Sequence, residues 1–419
     1  MVRLRFLLVT VVSALSMVAL AQADNSGRIY GTIHTVDGDA FEGLIRWDKN
    51  EGSWVDVLDG TRDRDERHRD QSSTSGRHRY SSRRSSFKLF GVDIYKNPNS
   101  YTFISGSAAQ SGIRFGHLRS LEVLDDDRAM LTLKDGSEIE FSNGSTDIGT
   151  SVREIIVEDP KEGEVEFSWE DIESIEFSET DFSKPSAFGE RLYGTLTTRR
   201  GEEFSGFVCW DVDELFDNDV LDGEDQRRTR KIPFANVTSI SRYSSSGAEL
   251  ILKSGDTIVL RGTNDVDESN RGIVISDPAL GQVRVGWDNF ERLEFKKAAH
   301  AVTYSEFDGG RRMRGTVYTE SGETYSGEIC WDDDEEYTWE LLNGSYHDID
   351  FQVEFGQIKQ IEKNTSRSAD VTLLDNRVFR LRGSNDVDEE NKGIIVTPTD
   401  RKEVFVDWED FSRVIFDAK

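Results

Sequence analysis

Residues Gly27 to Asp48 read GRIYGTIHTVDGDAFEGLIRWD, and this segment returns twice along the chain. The second copy is ERLYGTLTTRRGEEFSGFVCWD from Glu190, and the third is RRMRGTVYTESGETYSGEICWD from Arg311. All three follow G-T-φ-x-T-x-x-G-x-x-aromatic-x-G-x-φ-x-W-D, where φ is aliphatic. Self-similarity of this kind is the signature of a repeat protein. The sequence therefore predicts three tandem copies of one module.

A second shared block closes each copy, with the sequences VEFSWEDIESIEF, VRVGWDNFERLEF and VFVDWEDFSRVIF. The tryptophans of the two blocks are 77 residues apart in copies two and three, but 122 apart in copy one. The pairs are Trp47 and Trp169, Trp210 and Trp287, and Trp331 and Trp408. Copy one therefore carries an insertion of about 45 residues.

The pattern lapses in two segments, 178–189 and 297–310, which contain turn-forming Pro and Gly residues. Such segments mark boundaries between domains. We expect repeat domain 1 at 24–178, repeat domain 2 at 190–296 and repeat domain 3 at 311–419.

Each copy has the composition and period of β-strands. Along Phe204, Gly206, Val208 and Trp210 every second residue is apolar or small, a period of two. Blocks IRFGHLRSL, IPFANVTSI and VEFGQIKQI echo the closing block within the same copy. The fold class predicted is all-β: three tandem β-rich repeat domains, each made of two small barrel-like or sandwich-like halves.

The hairpin pattern G-x-x-aromatic-x-G-x-φ, followed later by LRGTN from Leu260 and LRGSN from Leu381, resembles Sm-like barrels. That resemblance implies a small barrel shape for half a copy. In Sm-like proteins the RG-x-N element binds RNA within rings, and an acidic exported chain departs from that use, so no binding residue is carried over.

The N-terminus has the layout of a signal peptide at 1–23: Arg3 and Arg5, an apolar run too short to span a membrane, and Ala21-Gln22-Ala23. We expect a periplasmic or secreted protein without a transmembrane segment. Without the two arginines, 49 Lys and Arg face 80 Asp and Glu, a net charge of −31. Nucleic acid is excluded as a partner, since phosphate binding needs a basic surface.

Tryptophans at the repeated positions are expected in the core, because the neighbours of the same strand parity are apolar. Trp54 and Trp339 lie instead in the variable segment after the hairpin. These two are the candidate platforms for a sugar or peptide ligand.

Acidic loops recur as NDVDESNRG from Asn264 and NDVDEENKG from Asn385, whereas copy one has GSTDIGTSVRE. Oxygen ligands of this type suit Ca²⁺. An Asx turn, in which Asn and Asp side chains cap their own backbone, explains the same residues and is the favoured interpretation of these loops. The candidate metal ligands are Asp265, Asp267, Asn270, Asp386, Asp388 and Asn391.

Three further features are ambiguous. Acidic residues follow the W-D of copies two and three and are expected to point into water. The insertion near 61–88, rich in Arg and Ser, is expected to be disordered and dispensable for folding. Cys209 and Cys330 occupy equivalent repeat positions, a domain apart, and are expected to remain unpaired.

Catalytic motifs such as HExxH, GxSxG, CxxC and GxxxxGK do not occur in the chain. We therefore expect no enzyme and no cofactor other than possible Ca²⁺. The leading interpretation is a non-catalytic binding or scaffold module of the cell envelope that engages protein or polysaccharide. A calcium-stabilised extracellular repeat protein is the alternative, and a hydrolase with a carboxylate pair is third. The sequence leaves the oligomeric state open.

Overall fold

The computed structural model describes residues 24–63, 87–89, 92–94, 108–143, 145–180, 183–399 and 402–418. The expected signal peptide and most of the Arg- and Ser-rich insertion lie outside these ranges. Within them every element is a β-strand or a short 3-10 turn, so the predicted all-β class is confirmed. No helix in the described part of the chain is long and apolar enough to cross a membrane.

Repeat 1 forms a ten-stranded antiparallel sheet. Its strands are β1 (Tyr30–Thr35), β2 (Ala40–Trp47), β3 (Val57–Asp63), β6 (Ala108–Arg114), β7 (Leu118–Val123), β8 (Arg128–Leu133), β9 (Glu138–Ser142), β10 (Ile155–Asp159), β11 (Gly163–Phe167) and β12 (Ile172–Phe177). A separate hairpin, β4 (Phe87–Leu89) and β5 (Val92–Ile94), lies between β3 and β6 in sequence.

Repeat 2 supplies ten strands of a twelve-stranded sheet. They are β13 (Tyr193–Thr198), β14 (Glu203–Cys209), β15 (Val220–Asp225), β16 (Arg228–Pro233), β17 (Val237–Ser244), β18 (Gly247–Leu252), β19 (Thr257–Arg261), β20 (Ile273–Asp277), β21 (Gly281–Val285) and β22 (Phe290–Phe295).

Repeat 3 has the equivalent ten strands, of which eight form the third sheet. They are β23 (Arg314–Thr319), β24 (Thr324–Cys330), β25 (Leu341–Tyr346), β26 (Ile349–Glu354), β27 (Ile358–Thr365), β28 (Ser368–Leu373), β29 (Val378–Leu381), β30 (Ile394–Thr397), β31 (Val404–Val406) and β32 (Phe411–Phe416). Thus the sequence repeat is matched by a repeated order of strands.

Each repeat divides into two five-stranded halves. In repeat 1 the order β11-β10-β2-β1-β12 continues directly into β7-β8-β9-β3-β6. The halves meet where β12 pairs antiparallel with β7, and each of these two strands follows a 3-10 turn, at Trp169–Asp171 and Phe115–His117. The internal echo in the sequence therefore corresponds to two halves of one continuous sheet.

Two glycines of the shared pattern are required by close contacts between strands. A Cβ on Gly194 would lie 2.6 Å from the carbonyl oxygen of Glu294, and one on Gly206 would lie 2.4 Å from that of Ser276. Real Cβ atoms do not approach carbonyls so closely, since packed interiors leave no spare volume. The pattern keeps glycine here because the sheet has no room for a side chain.

One buried tryptophan from each shared block meets the other in the centre of every repeat. Their ring centroids lie 6.4, 6.3 and 6.2 Å apart in repeats 1, 2 and 3, with the ring planes nearly perpendicular. Edge-to-face pairs of this kind are favoured by the quadrupoles of the rings. The expected role of the repeated tryptophans in the core is confirmed.

The boundary between repeats 2 and 3 is crossed by hydrogen-bonded strands. Strand β26 of repeat 3 pairs antiparallel with β21 of repeat 2, so the β25–β26 hairpin completes the twelve-stranded sheet. The same hairpin also bridges back to its own repeat through Ser345 and Arg382. Repeats 2 and 3 share one hydrophobic core as a result.

Repeat 1 is joined to the others by buried ion pairs. Arg114, whose side chain is 2% exposed, donates to the carbonyl oxygen of Pro278 in repeat 2 at 3.0 Å. Its Nε lies 3.0 Å from a carboxylate oxygen of Glu354 in repeat 3. Buried charges of this type need both partners, because a lone charge loses its hydration without compensation. All three repeats therefore meet at Arg114.

Candidate functional site

The tryptophan that ends the hairpin holds the acidic loop in place. In repeat 2 the indole Nε1 of Trp210 donates to the backbone carbonyl of Asp265 at 2.9 Å. The equivalent bonds run from Trp47 to Asp147 at 3.1 Å and from Trp331 to Asp386 at 3.0 Å. A buried indole N–H needs an acceptor. The core residue thus fixes the position of a carboxylate beside it.

The turn after the tryptophan brings two more carboxylates to the same place. Asp211 and Val212 adopt left-handed backbone angles, φ 50° and 60°, and the backbone N–H of Trp210 donates to the carbonyl of Glu214 at 2.7 Å. This tight turn places Asp211, Glu214 and Asp265 so that one oxygen of each lies within 4.8 Å of the others. We call such a group of three carboxylates a triad.

Repeat 3 contains the same triad, formed by Asp332, Glu335 and Asp386. Asp332 is completely buried and lies 3.6 Å from the ammonium of Lys392. Burial and the nearby Asp334 raise the pKa of Asp332 to about 7. Burial and the same aspartate raise the pKa of Glu335 well above its ordinary value.

Repeat 1 has the equivalent residues Asp48, Glu51 and Asp147, and Arg153 pairs with Asp48 at 3.1 Å. Burial, together with repulsion from Asp147 and Asp48, raises the pKa of Glu51 well above its usual range. The loop GSTDIGTSVRE is therefore the counterpart of the NDVD loops, because Asp147 stands where they have Asp265 and Asp386. Sequence comparison could have found it from the shared distance to the following Arg or Lys.

The three closely spaced carboxylates of the triad in repeat 2 favour the binding of one more positive charge, such as a proton. Arg271 pairs with Asp211 at 2.8 Å, and the backbone N–H of Asp222 donates to Asp265 at 2.7 Å. Burial, followed by repulsion from Asp265, raises the pKa of Glu214 to about 9. Burial raises the pKa of Asp265 to about 6. These shifts arise because closely spaced carboxylates away from water resist ionisation together.

The glutamate of each triad, and its repeat 1 equivalent Glu51, has one oxygen that no donor in the described part of the chain reaches. Among the described residues no donor reaches the buried Oε2 of Glu51, Glu214 or Glu335. A carboxyl group in this environment can keep its proton and share it with a neighbouring aspartate. Alternatively, a hard cation can accept the oxygen as a ligand. The triad can therefore hold either a proton or a cation.

Four of the six metal ligands expected from the sequence cap turns instead. Asp267 and Asp388 accept the backbone N–H of Ser269 and Glu390, each at 2.9 Å. Asn270 and Asn391 accept the N–H groups of the glycines two positions later. These are Asx turns. The structure brings only Asp265 and Asp386 of that set into the triads.

The two tryptophans expected as ligand platforms, Trp54 and Trp339, are both 0% exposed. Trp54 packs on Tyr304 with ring centroids 4.5 Å apart, and Trp339 stacks on Tyr337 at 6.1 Å. Neither indole presents a face to solvent: Tyr304 of the linker lies against Trp54, and the guanidinium of Arg62 from repeat 1 lies 5.7 Å from the ring centroid of Trp339. These two tryptophans of the variable segments therefore pack against residues from outside their own segments.

A cavity of about 630 Å³ lies between repeat 1, repeat 2 and the 297–301 linker, and we call it the seam cleft. Five of its lining residues are Lys or Arg, and three are Asp or Glu. The cations are Arg28, Arg191, Lys253, Lys296 and Lys297, joined by His300, and the acids are Asp24, Glu190 and Asp217. The cleft is thus basic in a chain whose net charge is −29.

Arg28 and Arg191 are held rigidly at one wall of the seam cleft. The guanidinium of Arg28 lies 4.2 Å from the ring centroid of Phe216 and donates to the carbonyl of Gly189 at 3.0 Å. Arg191 pairs with Asp56 at 2.9 Å. Burial, followed by repulsion from Arg191, lowers the pKa of Arg28 to about 9. The side chains of both arginines are buried beside acidic groups, so the cations of the cleft that remain exposed are Lys253, Lys296 and Lys297.

No family model matches this chain, and neither a curated protein nor a solved structure is similar to it in sequence or fold. The class that the architecture defines is therefore an acidic all-β protein of three tandem repeats with a basic cleft between repeats.

Proposed function

We propose that this protein is a non-catalytic binding protein of the cell envelope, periplasmic or secreted. Its ligand site is the seam cleft, and the ligand is an acidic segment of a protein or polysaccharide. The observation that carries this proposal is the collection of cations in a concave site of a strongly acidic chain. A cleft concentrates the field of the charges that line it, so this site attracts anions where the rest of the surface repels them.

The shape and charges of the cleft support this use. Its volume falls within the range of about 300–1,000 Å³ that is usual for ligand sites. Lys253 and Lys297 are exposed at its rim, and no ion pair engages either one among the described residues. Tyr193 and Phe295 add partly buried aromatic surface. A sugar ring or an apolar side chain flanking an acidic group can pack there.

The surroundings of the triads support a non-catalytic role. Their carboxyl groups have raised pKa values, which is a common property of acid–base catalysts. However, the cavity that Glu335 and Glu340 line has a volume of only about 20 Å³. That is room for a single water molecule and not for a substrate. Glu335, the triad glutamate of repeat 3, therefore faces a space too small for a substrate.

Isothermal titration calorimetry with two acidic probes tests the proposal: a polyglutamate peptide and an oligogalacturonate. A neutral maltohexaose is the negative control. We expect at least one acidic probe to bind, and Lys253→Glu combined with Lys297→Glu to weaken that binding more than tenfold. Charge reversal turns attraction at the rim into repulsion.

A matched control combines Lys161→Glu with Lys359→Glu, which changes the net charge equally but lies outside the cleft. This control should bind as the wild type does. The proposal fails if neither acidic probe binds, or if both double variants lose affinity equally. Binding of the peptide alone, or of the oligosaccharide alone, identifies the class of ligand.

A calcium-stabilised repeat protein is the second candidate. The observation that favours it is the recurrence of the triad in repeats 2 and 3, each with a glutamate oxygen that no described donor reaches. Carboxylate oxygens are the ligands that Ca²⁺ prefers. Arg271 and Lys392 already offset part of the negative charge of these two triads, which places this candidate second.

A further inference from the structure

Strands β21 and β26 show how one repeat of this protein adds to the sheet of another. They pair antiparallel over four positions, with Gly281 opposite Val353 and Arg284 opposite Asp350 at the two ends. A strand at the edge of a sheet offers unpaired N–H and C=O groups to any matching edge. Here β21 of repeat 2 is the edge strand, and β26 of repeat 3 pairs with it.

The same two kinds of edge occur again in repeats 1 and 2. Strand β11 in repeat 1 is the equivalent of β21, and strand β16 in repeat 2 is the equivalent of β26. Both stand at the ends of their sheets. In the part of the chain that the structure describes, no strand pairs with the outer side of either one. Among the described strands, β6 and β31, the equivalents of β26 and β21 in repeats 1 and 3, also stand at the ends of their sheets, so charge decides which edges pair.

The two edges carry opposite charges. Strand β11 reads GEVEF, and its Glu164 and Glu166 are exposed. Strand β16 reads RTRKIP, and its first four residues, Arg228 to Lys231, are exposed. The ion pairs of Arg230 with Asp225 and of Lys231 with Asp222 stay within the β15–β16 hairpin and leave these side chains on its surface.

The register of β21 and β26 can be transferred to the open edges by repeat equivalence. It places Glu164 opposite Lys231 and Val165 opposite Arg230, where the internal pair has Gln282 opposite Gln352 and Val283 opposite Phe351. Opposite charges on directly facing residues stabilise an antiparallel pair. The transferred register therefore brings a Glu and a Lys together.

Arg230 takes the position of Phe351, which packs against Phe204 with ring centroids 5.7 Å apart. The repeat 1 equivalent of Phe204 is Phe41, whose ring lies 5.1 Å from that of Phe167 at the end of β11. A guanidinium over an aromatic face is a favourable contact. An Arg at the position of Phe351 can therefore still contact an aromatic ring, that of Phe41.

From these observations we propose that β16 of one molecule pairs with β11 of a second copy, as β26 pairs with β21 inside the chain. The two surfaces differ, so the interface is head-to-tail and generates chains of molecules. Charged edges often prevent association, because like charges repel. In this protein the two edges have opposite signs, which favours their pairing with each other.

Strand β31, the repeat 3 equivalent of β21, also stands at the end of its sheet among the described strands. Its residues are Val404, Phe405 and Val406, in place of the acidic sequence of β11. The charge of β16 therefore selects β11.

Sedimentation velocity over a range of protein concentrations tests this proposal, at about 20 mM and about 300 mM NaCl. At low salt we expect the wild type to form species larger than a monomer as concentration rises, and high salt should weaken them. Arg230→Glu combined with Lys231→Glu should remain monomeric. Glu164→Lys combined with Glu166→Lys should also remain monomeric. An equal mixture of the two double variants should associate again, because the native β11 of the first variant is complementary to the native β16 of the second and the two charge-reversed edges are complementary to each other.

Glu173→Lys combined with Glu291→Lys is the matched control, because both residues are exposed on central strands. It should associate as the wild type does. Where a double variant is shown to be misfolded by circular dichroism, the single neutral changes Glu164→Gln and Lys231→Gln replace it.

The proposal is overturned if the wild type stays monomeric at low salt, if the edge variants still associate, or if the mixture does not. Loss of association in the control variant also overturns it. None of the substituted residues lines the seam cleft, so ligand binding should be unchanged in every edge variant. Failure of this proposal is therefore distinguishable from failure of the proposed function.

Discussion

Replacing Glu214 by glutamine tests whether the triads hold protons. The pKa of this buried carboxyl is raised from 4.5 to about 9, mainly by burial and then by Asp265. Between those two pH values the folded chain holds a proton that the unfolded chain has released. The free energy of unfolding therefore falls as the pH rises, by about 1.4 kcal/mol for each pH unit.

Glu214→Gln keeps the shape of the side chain but has no proton to lose, so the variant lacks this part of the pH dependence. At pH 8 the linkage sets an upper limit of about 5 kcal/mol on its gain in stability. Relaxation of the neighbouring carboxylates and entry of water reduce the expected gain to about 2 kcal/mol. At pH 5 the gain should be under about 1 kcal/mol, since this pH is only about half a unit above the pKa of 4.5 in the unfolded chain and the linkage over that interval is small.

The measurement is urea unfolding followed by tryptophan fluorescence at pH 5 and pH 8, with a chelator present. Glu291→Gln, on the exposed face of β22 in the same repeat, is the control and should change stability by less than about 0.5 kcal/mol at both pH values. An equal effect of Glu214→Gln at the two pH values would refute the reasoning. A loss of stability at pH 8 in the chelator would refute it as well.

Addition of millimolar Ca²⁺ to the same samples separates a proton site from a cation site. A bound ion at a hundredfold excess over its Kd stabilises the wild type by about 2.7 kcal/mol, and Glu214→Gln should lose that gain. Monovalent salt at the same ionic strength reports the screening of a strongly acidic surface. We expect the salt to account for most of any effect. A calcium-specific gain that the variant lacks would make calcium stabilisation the leading function.

Two further substitutions test the architecture. Gly206→Ala places a methyl group 2.4 Å from the carbonyl oxygen of Ser276, so β14 and β20 must separate; urea unfolding should show a loss of about 2 kcal/mol, against little change for the exposed Ser205→Ala. Arg62→Ala leaves the carboxylate of Glu340, 2% exposed, without its partner from repeat 1; we expect a loss of about 3 kcal/mol, whereas Arg128→Ala at an exposed pair should cost under about 1 kcal/mol. Equal losses within either pair of variants would contradict the contact that it tests.

The repeat and its β character could be predicted because they depend on local pattern. The alternation of Phe204, Gly206, Val208 and Trp210 places side chains on two faces of a strand whatever the rest of the chain does. The matched spacing of Trp210 to Trp287 and of Trp331 to Trp408 reports equal lengths of chain between equivalent core positions. These features depend on the sequence within one repeat, so they are the same whatever the arrangement of the three repeats.

The candidate site could be predicted only in part. The acidic residues after the hairpin and those in the NDVD loop were both visible, but nothing in their spacing shows that Asp211 and Asp265 meet. The indole N–H of Trp210, the residue next to Asp211, donates to the backbone carbonyl of Asp265 and brings the two together across 55 residues of sequence. Nothing in the sequence showed that Trp54 and Trp339 are covered, because Tyr304 and Arg62, which lie against them, are distant along the chain.

The sequence by itself determined an all-β chain of three repeats, with a tryptophan pair in each core and an acidic surface. Only the tertiary structure decided which repeats share strands, which carboxylates form triads, and where cations gather into the seam cleft. The physical reason is the range of the interactions. Strand period and glycine placement act between neighbours in sequence, whereas burial, ion pairing and pKa shifts depend on groups brought close by packing.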